Sequence, residues 1–389
     1  MKNSSKNAGN RHKEYLNICM LGQKRIPSRE GGIEVVVEEL STRMAARGCQ
    51  VTCLNRRGHH VSGREFDGEA LTEYKGVKLE SVFTINRKGL AAVTSSFFAS
   101  VKAALGNYDI VHVHAEGPSA FCWILRLFGK RVIVTVHGLD HSRTEKWGAF
   151  ASWYILQGEK NAVRFADGII VLSSAVQKYF MDTYGRKTTF IPNGVNRPKI
   201  ENAKLIKEKY GLEKDSYFLF LGRIVPEKGE HYLIEAFKDV VTDKKLVIAG
   251  GSSDTDAYME RLKELAAMDE RVIFTGFVQG RLLEEMYSNA YVYVLPSDLE
   301  GMPLSLLEAM SYGNCCVVSD IAECTEVVED KAIVFKKGDV ADLRDKLQQC
   351  CDDEGLVLKY RREVAEFCCG KYGWDDVVDK TIELYRGCC

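Results

Sequence analysis

The sequence has little of several features that mark particular classes of protein. Its 389 residues include only 7 prolines, and no apolar run approaches the roughly 18 residues that a membrane-spanning helix needs. Lysine and arginine number 53 against 54 aspartates and glutamates, so the formal net charge of −1 provides no overall field for nucleic acid. Neither a membrane-spanning protein nor a generally basic nucleic-acid-binding protein is indicated.

Cysteine is frequent, but it is not arranged as metal ligands or redox pairs. The 13 cysteines are scattered or adjacent, and none forms a C-x-x-C pair, so no zinc site or redox motif is predicted. In a chain of this length we expect reduced, mostly buried thiols of a cytosolic protein. Residues 1–14 are polar, do not resemble a signal sequence and are predicted to be a disordered tail, so we expect a cytoplasmic location.

Short apolar runs alternate with amphipathic segments along the chain, and the pattern restarts after a linker near 193–200. Strands are predicted at 15–21, 50–54, 109–114, 131–138, 167–173 and 188–194, with helices at 31–48, 91–105, 118–128, 149–165 and 173–184. The second half begins with a strand at 217–224 and ends with a helix from Trp374. This alternation predicts an α/β protein with two doubly wound, Rossmann-like domains. Because ligands bind at the carboxyl ends of parallel strands, the site is expected in a cleft between them.

Glycines follow the first strand in the segment GQKRIPSREGGIEVV. Gly31 and Gly32 stand at a predicted helix start, where free backbone N–H groups and the helix dipole favour an anion. The segment lacks G-x-G-x-x-G, so a dinucleotide-binding fingerprint is not supported. An ordinary turn with glycines at a helix start would explain the pattern equally.

Two cations follow the first strand of the second half, in LGRIVPEKGEHYL. Arg223 ends the strand, and Lys228 lies in the following loop just before a helix. Positive charge opposes the N-terminal end of a helix dipole, so this placement favours a bound anion such as a diphosphate. Solvated surface cations are the alternative.

Two carboxylates lie in SDLEGMPLSLLEAM. Glu300 is predicted to lie in a loop at the cleft, and Glu308 in a helix from about 303 that has Pro303 in its first turn. They therefore do not share one helical face. Free amides near Leu304 would add to an anion site beside the two cations. The plainer interpretation is that both glutamates are surface charges.

Taken together, these segments resemble a known family. GRIVPEKG, GF at 276–277, the E-x7-E arrangement of Glu300 and Glu308, GGIEVVVEEL, IPNGV and the last helix closely resemble retaining glycosyltransferases of the GT-B fold, specifically family 4. The resemblance covers nearly the whole chain. It implies an N-terminal acceptor domain at 15–195, a nucleotide-sugar donor domain at 196–372, and a helix at 373–389 that packs back on the first domain.

The resemblance also implies roles for individual residues. Arg223 and Lys228 would hold the diphosphate of a nucleotide sugar, Glu308 the ribose, and Glu300 the transferred sugar. The nucleotide base would lie against the loop at Phe277 and Val278. The remaining donor-binding residues would act mainly through backbone groups: Gly31, Gly32, Gly301, Met302, Pro303 and Leu304.

The first domain contributes TVHGLDHSRTEKWG, in which His137 ends a strand at the position where the family keeps a histidine near the sugar. The run 138–148 resembles bacterial capsule and exopolysaccharide enzymes, including rhamnosyltransferase-like members. Asp140 and Arg143 are then acceptor-side or donor-sugar candidates. In DIVHVHAEG, His114 and Glu116 could bind the acceptor or simply pack in the core, as His112 could.

The expected function is transfer of a sugar from a UDP-, dTDP- or GDP-sugar to a saccharide or lipid-linked saccharide, with retention of anomeric configuration, in cell-surface polysaccharide or glycoconjugate synthesis. The expected catalytic residues of this hexosyl or other glycosyl transferase are His137, Arg223, Lys228 and Glu300. No D-x-D pair is placed at the phosphates, so neither a metal nor another cofactor is expected. The segment 119–131 mixes aromatic and basic residues, which fits either a helix packed on the sheet or peripheral contact with the inner membrane face. Alternative functions are a nucleotide-sugar epimerase or hydrolase, and a non-catalytic sugar-nucleotide-binding protein.

Overall fold

The computed structural model describes residues 15–59, 67, 71–87, 89–139, 144–251 and 256–388. The predicted disordered tail at 1–14 lies outside these residues, as do the acceptor-side candidates Asp140 and Arg143. Within the described residues, no helix is both long enough and apolar enough to cross a bilayer.

The first half of the chain forms an eight-stranded sheet of order β3-β4-β2-β1-β5-β6-β7-β8. Its elements are β1 (Asn17–Leu21), α1 (Gly32–Ala46), β2 (Gln50–Arg56), β3 (Glu73–Tyr74), β4 (Val77–Val82), α2 (Leu90–Leu105), β5 (Ile110–His114), α3 (Glu116–Ser119), α4 (Cys122–Leu127), β6 (Arg131–Val136), α5 (Thr144–Phe165), β7 (Gly168–Val171), α6 (Ser174–Tyr184) and β8 (Thr189–Phe190). All neighbouring strands are parallel except the pair β3 and β4. The central strands β5 and β6 are buried on both faces, as their continuous apolar runs predict.

The second half forms a six-stranded parallel sheet of order β11-β10-β9-β12-β13-β14. Its elements are α7 (Leu205–Tyr210), β9 (Tyr217–Leu221), a 3₁₀ turn (Pro226–Lys228), α8 (Glu230–Lys238), β10 (Lys245–Ala249), α9 (Asp256–Ala266), β11 (Val272–Gly276), α10 (Gly280–Asn289), β12 (Val292–Leu295), α11 (Leu304–Ser311), β13 (Cys315–Ser319), α12 (Ala322–Val328), β14 (Ile333–Phe335), α13 (Val340–Asp352), α14 (Glu354–Lys371) and α15 (Trp374–Gly387). The two doubly wound sheets confirm the predicted α/β architecture.

The predicted single helix at 118–128 is wrong, because the chain breaks there into α3 and α4. Asn161 of α5 donates its side-chain N–H to the carbonyl oxygen of Ala120 at 2.8 Å, which takes that carbonyl out of a helical hydrogen-bond ladder. Helix α5 passes so close that a Cβ on Gly158 would lie 1.9 Å from the oxygen of Glu116. Packing against α5 therefore decides the local structure.

The last helix, α15, returns to the first domain, as expected. Trp374, Val378 and Tyr385 are buried in one apolar cluster with side chains of β1, α1 and β2. A Cβ on Gly194 would lie 2.5 Å from the Trp374 ring, so the chain leaving the first domain touches the start of α15 closely. The Tyr385 hydroxyl lies 2.6 Å from Nδ1 of His112 in the first sheet. This helix therefore ties the end of the chain to the first domain.

Candidate active site

The carboxyl ends of the two sheets meet at a backbone contact between His137 and Gly301. His137 follows β6, and Gly301 lies in the loop after β12. A Cβ built on Gly301 would lie only 1.6 Å from the carbonyl oxygen of His137. Beside this contact, the Asn193 side chain donates to the carbonyl oxygen of Met302 at 3.1 Å. The loop at 300–303 therefore faces the first domain across a cleft with no room for a side chain at position 301.

Lys228 and Glu300 form a nearly buried ion pair in this cleft. Nζ of Lys228 lies 2.6 Å from Oε1 of Glu300, and their side chains are 13% and 7% exposed. Ser297 also donates to Oε1 of Glu300 at 2.6 Å, and Ser319 holds the Ser297 carbonyl. The family resemblance implied a diphosphate role for Lys228 and a sugar role for Glu300; the structure joins these two side chains. The pair therefore presents one fixed cation and one fixed carboxylate at the same point.

The turn that carries Lys228 depends on Gly229. Its φ of 72° is left-handed, and a Cβ there would lie 2.1 Å from the carbonyl oxygen of Pro296. Glycine thus lets the 3₁₀ turn after β9 press against the end of β12, which brings Lys228 and Glu300 together.

Arg223 follows β9 at the same edge of the second sheet. Its side chain is half-buried and, within the described part of the chain, it makes no hydrogen bond or ion pair. Its guanidinium carries five N–H donors and no acceptor. It is therefore well suited to bind an anion that enters the cleft.

Glu308 lies in α11 and uses both of its oxygens. Oε1 accepts from the Arg29 guanidinium at 2.6 Å, and Oε2 accepts from the Tyr287 hydroxyl at 3.2 Å. The Glu308 carboxylate raises the pKa of Arg29 above its ordinary value, and burial raises the pKa of Tyr287. Arg29 was not predicted as a site residue; its position just before Gly31 and Gly32 was the available signal.

The other predicted donor residues surround this edge. A Cβ on Gly32 would lie 3.4 Å from Cδ1 of Leu304, so the glycine loop of the first domain lies against the start of α11. Pro303 is the N-cap residue of α11. Phe277 and Val278 follow β11, which is separated from β12 in the sheet by β10 and β9. Val278 is buried and Phe277 is half-buried.

The histidines of the first domain form a stack that leads from α15 to the cleft. The ring centroids of His112 and His114 are 4.1 Å apart, and Nδ1 of His114 lies 3.2 Å from Nε2 of His137. His114 and Glu116 are both 0% exposed, as expected if they pack in the core. Contact with an acceptor would require both side chains to become accessible. Burial lowers the pKa of His137 to about 4, so the imidazole at the cleft is neutral near pH 7.

This stack predicts an acid-sensitive fold. Burial lowers the pKa of His112 to about 3 from an unfolded value of 6.5. Below about pH 6.5, His112 therefore becomes protonated in the unfolded chain but stays neutral in the folded protein. The free energy of unfolding falls as pH drops through this range. At pH 4.5, His112 alone should have lowered the free energy of unfolding by roughly 2–3 kcal/mol relative to neutral pH. Urea titrations from pH 7 to pH 4.5 should give a shallower fall for His112→Gln than for wild type.

The control for this measurement is His59→Gln, at an exposed side chain. Its pH dependence should match that of wild type. An equally steep fall in His112→Gln would show that the buried stack is not the source of the acid sensitivity.

With this geometry in place, comparison with known proteins identifies the two halves. Residues 30–197 match the model of glycosyltransferase family 4, and residues 202–367 match that of glycosyl transferases group 1. The chain contains two glycosyltransferase domains. These matches bear out the coarse part of the sequence resemblance and support a glycosyltransferase activity of GT-B type.

Relatives of this glycosyltransferase cover most of its length. It is 27% identical to phosphatidyl-myo-inositol mannosyltransferase of Mycobacterium leprae, over 92% of this chain and 93% of the relative. It is 28% identical to UDP-Gal:alpha-D-GlcNAc-diphosphoundecaprenol alpha-1,3-galactosyltransferase of Escherichia coli, over 72% and 75%.

Solved structures confirm the predicted GT-B fold. Sucrose-phosphate synthase from Thermosynechococcus elongatus superposes with a TM-score of 0.81 at 21% identity, covering 96% of this chain and 98% of that one. HepE from Anabaena, in complex with UDP-glucose, superposes with a TM-score of 0.77 at 17% identity, covering 95% and 98%.

Proposed function

We propose that this glycosyltransferase moves a sugar from a UDP-, dTDP- or GDP-linked donor to a saccharide or lipid-linked saccharide, with retention of anomeric configuration and without a metal. The observation that carries the proposal is the half-buried residue Arg223, whose side chain has no protein partner among the described residues and which lies at the same sheet edge as the Lys228–Glu300 pair. An anion that enters this cleft would gain two cations held by the fold.

The chemistry follows from where charge develops. The bond between the anomeric carbon and the diphosphate breaks, a bond to the acceptor oxygen forms, and negative charge grows on the leaving phosphate. Arg223 and Lys228 would stabilise that charge, and Glu300 already holds Lys228 in position before the reaction. Retention would follow from attack on the face that the phosphate leaves, with the acceptor proton passing to the phosphate. Glu300 would orient Lys228 and meet the transferred sugar, opposite the neutral His137.

A thermal-shift panel of UDP-, dTDP- and GDP-glucose tests the donor class. A donor that binds only the folded protein raises the unfolding midpoint by mass action, so the largest shift identifies the nucleotide. The proton coupling at the anomeric carbon of the product, measured by NMR, then reports retention. If no nucleotide sugar shifts the midpoint at millimolar concentration, the proposed function is wrong.

The first domain, which the proposal assigns to the acceptor, carries a largely exposed aromatic stripe, which we define as Phe83, Phe97, Phe98 and Phe121. Adjacent ring centroids along it lie 5.1–5.5 Å apart, and Phe83, Phe97 and Phe98 are 53%, 39% and 40% exposed. Trp123 is also exposed, as are the cations Arg87 and Lys102, of which Lys102 pairs with Glu80 at 2.7 Å. Exposed aromatics with neighbouring cations suit an anionic lipid surface. They support a lipid-linked acceptor, the kind that the name of the Escherichia coli relative specifies.

Phe97→Ser/Phe98→Ser should weaken binding to vesicles. We expect sedimentation with vesicles of phosphatidylglycerol and phosphatidylethanolamine to fall at least fivefold, because both rings would otherwise leave water for the membrane interface. Met268→Ser, at a 96% exposed apolar side chain of the second domain, is the control and should sediment like wild type. Equal sedimentation of all three proteins would argue against lipid contact at the stripe.

A further inference from the structure

The Arg29–Glu308 pair is a contact between the two domains at the proposed donor site. Arg29 precedes α1 of the first domain, and its partner lies 279 residues further along the chain in α11 of the second. The neighbouring Glu30 is buried and forms an ion pair with Nε of Arg25 at 3.3 Å. The loop is therefore anchored on its own domain while Arg29 reaches across the cleft.

This contact engages the carboxylate that the proposed function assigns to the donor ribose. Oε1 of Glu308 faces Arg29, and Oε2 faces the Tyr287 hydroxyl. The ribose of UDP or GDP has two hydroxyls that would donate to these same oxygens, each of which has two lone pairs and already accepts from one protein donor. The Arg29 hydrogen bond is charge-assisted, so ribose hydroxyls must displace a stronger donor than water.

We propose that Arg29 competes with the donor ribose for Glu308 and thereby weakens nucleotide binding to the free enzyme. This inference rests on the proposed function. Only molecules in which Arg29 has left Glu308 bind the donor. The apparent dissociation constant therefore rises as the fraction of such molecules falls. The Arg29 side chain is 42% exposed and that of Glu308 is 19% exposed, so the pair is of moderate strength and sensitive to salt.

The test is calorimetric titration with UDP, and with GDP and dTDP if UDP does not bind. At about 50 mM NaCl, Arg29→Ala should bind the nucleotide roughly three- to tenfold more tightly than wild type. At about 500 mM NaCl this advantage should shrink, because screening already weakens the pair in wild type. Arg29→Lys keeps the charge and should bind nearly as wild type does.

The matched control is Arg126→Ala. Arg126 pairs with Asp167 at 2.8 Å within the first domain, at side-chain exposures of 44% and 26% that are close to those of the Arg29 pair. This variant should bind nucleotide like wild type at both salt concentrations. A general effect of removing a surface arginine would appear in both variants, whereas competition at Glu308 would appear only in Arg29→Ala.

A double-mutant comparison connects the effect to Glu308. In the Glu308→Gln background, which binds ribose weakly and no longer holds a cation, adding Arg29→Ala should produce no tightening. Unchanged affinity in Arg29→Ala would mean that Arg29 and the ribose bind Glu308 at the same time. Weaker affinity would mean that Arg29 binds the donor directly. Either result would overturn the proposed competition. If no nucleotide binds any of the proteins, the proposed function fails first and this inference falls with it.

Discussion

Lys228→Ala should lower turnover by about 10²–10³-fold while the protein remains folded. A preorganised donor aimed at developing negative charge is worth about this much in other enzymes. Lys228 fits that description because Glu300 fixes its ammonium at 2.6 Å and both side chains are nearly buried. The effect should fall on kcat, because charge on the leaving phosphate grows as the bond breaks, and also on the donor KM, because the diphosphate is already anionic when it binds.

The variant also leaves Glu300 without its cation, which costs stability. Lys228→Ala/Glu300→Gln removes that unpaired charge and should recover most of the unfolding midpoint, but turnover should remain low. Lys371→Ala, at the end of α14, breaks a half-exposed ion pair with Glu329; this variant is the control and should leave turnover unchanged. Wild-type turnover in folded Lys228→Ala would remove this residue from the chemistry.

The main strands of both sheets were predictable because parallel strands are buried on both faces and therefore read as short apolar runs. Strand β4, VKLESV, was missed because it lies near the edge of its sheet and alternates buried with exposed residues. The divided helix at 118–128 was missed because α5 breaks it from a distant part of the sequence. The apolar pattern of the sequence thus predicted the strands that are buried on both faces. It did not predict elements whose structure depends on contacts with distant parts of the chain.

At the site, loops that follow strands indicated Arg223, Lys228, Glu300 and Glu308, since the carboxyl edge of a parallel sheet collects ligand-binding residues. The contact partners were not predictable. The Lys228–Glu300 pair depends on β9 and β12 being neighbours, and the Arg29–Glu308 pair on how two domains meet. His114 is buried because β5 lies between β1 and β6, a sheet order that no single-strand pattern contains.

Gly301→Ala should lower kcat/KM by about 10²-fold with little change in the unfolding midpoint. Its Cβ would lie 1.6 Å from the carbonyl oxygen of His137, so the methyl group and the present domain contact exclude each other. The loop or the whole domain must move by an ångström or more, and a displacement of that size can cost this factor in rate. Stability should change little because Gly301 belongs to neither sheet.

Gly370→Ala is the matched control for this substitution. It lies within α14, where an added Cβ meets nothing within 4 Å, so it should keep full activity and raise the midpoint slightly. Small-angle scattering should show that Gly301→Ala is more open than wild type, and that Gly370→Ala is not. Near-wild-type activity in Gly301→Ala would mean that the His137–Gly301 contact is not required for catalysis, and with it the proposed place of His137 opposite the transferred sugar would lose its structural basis.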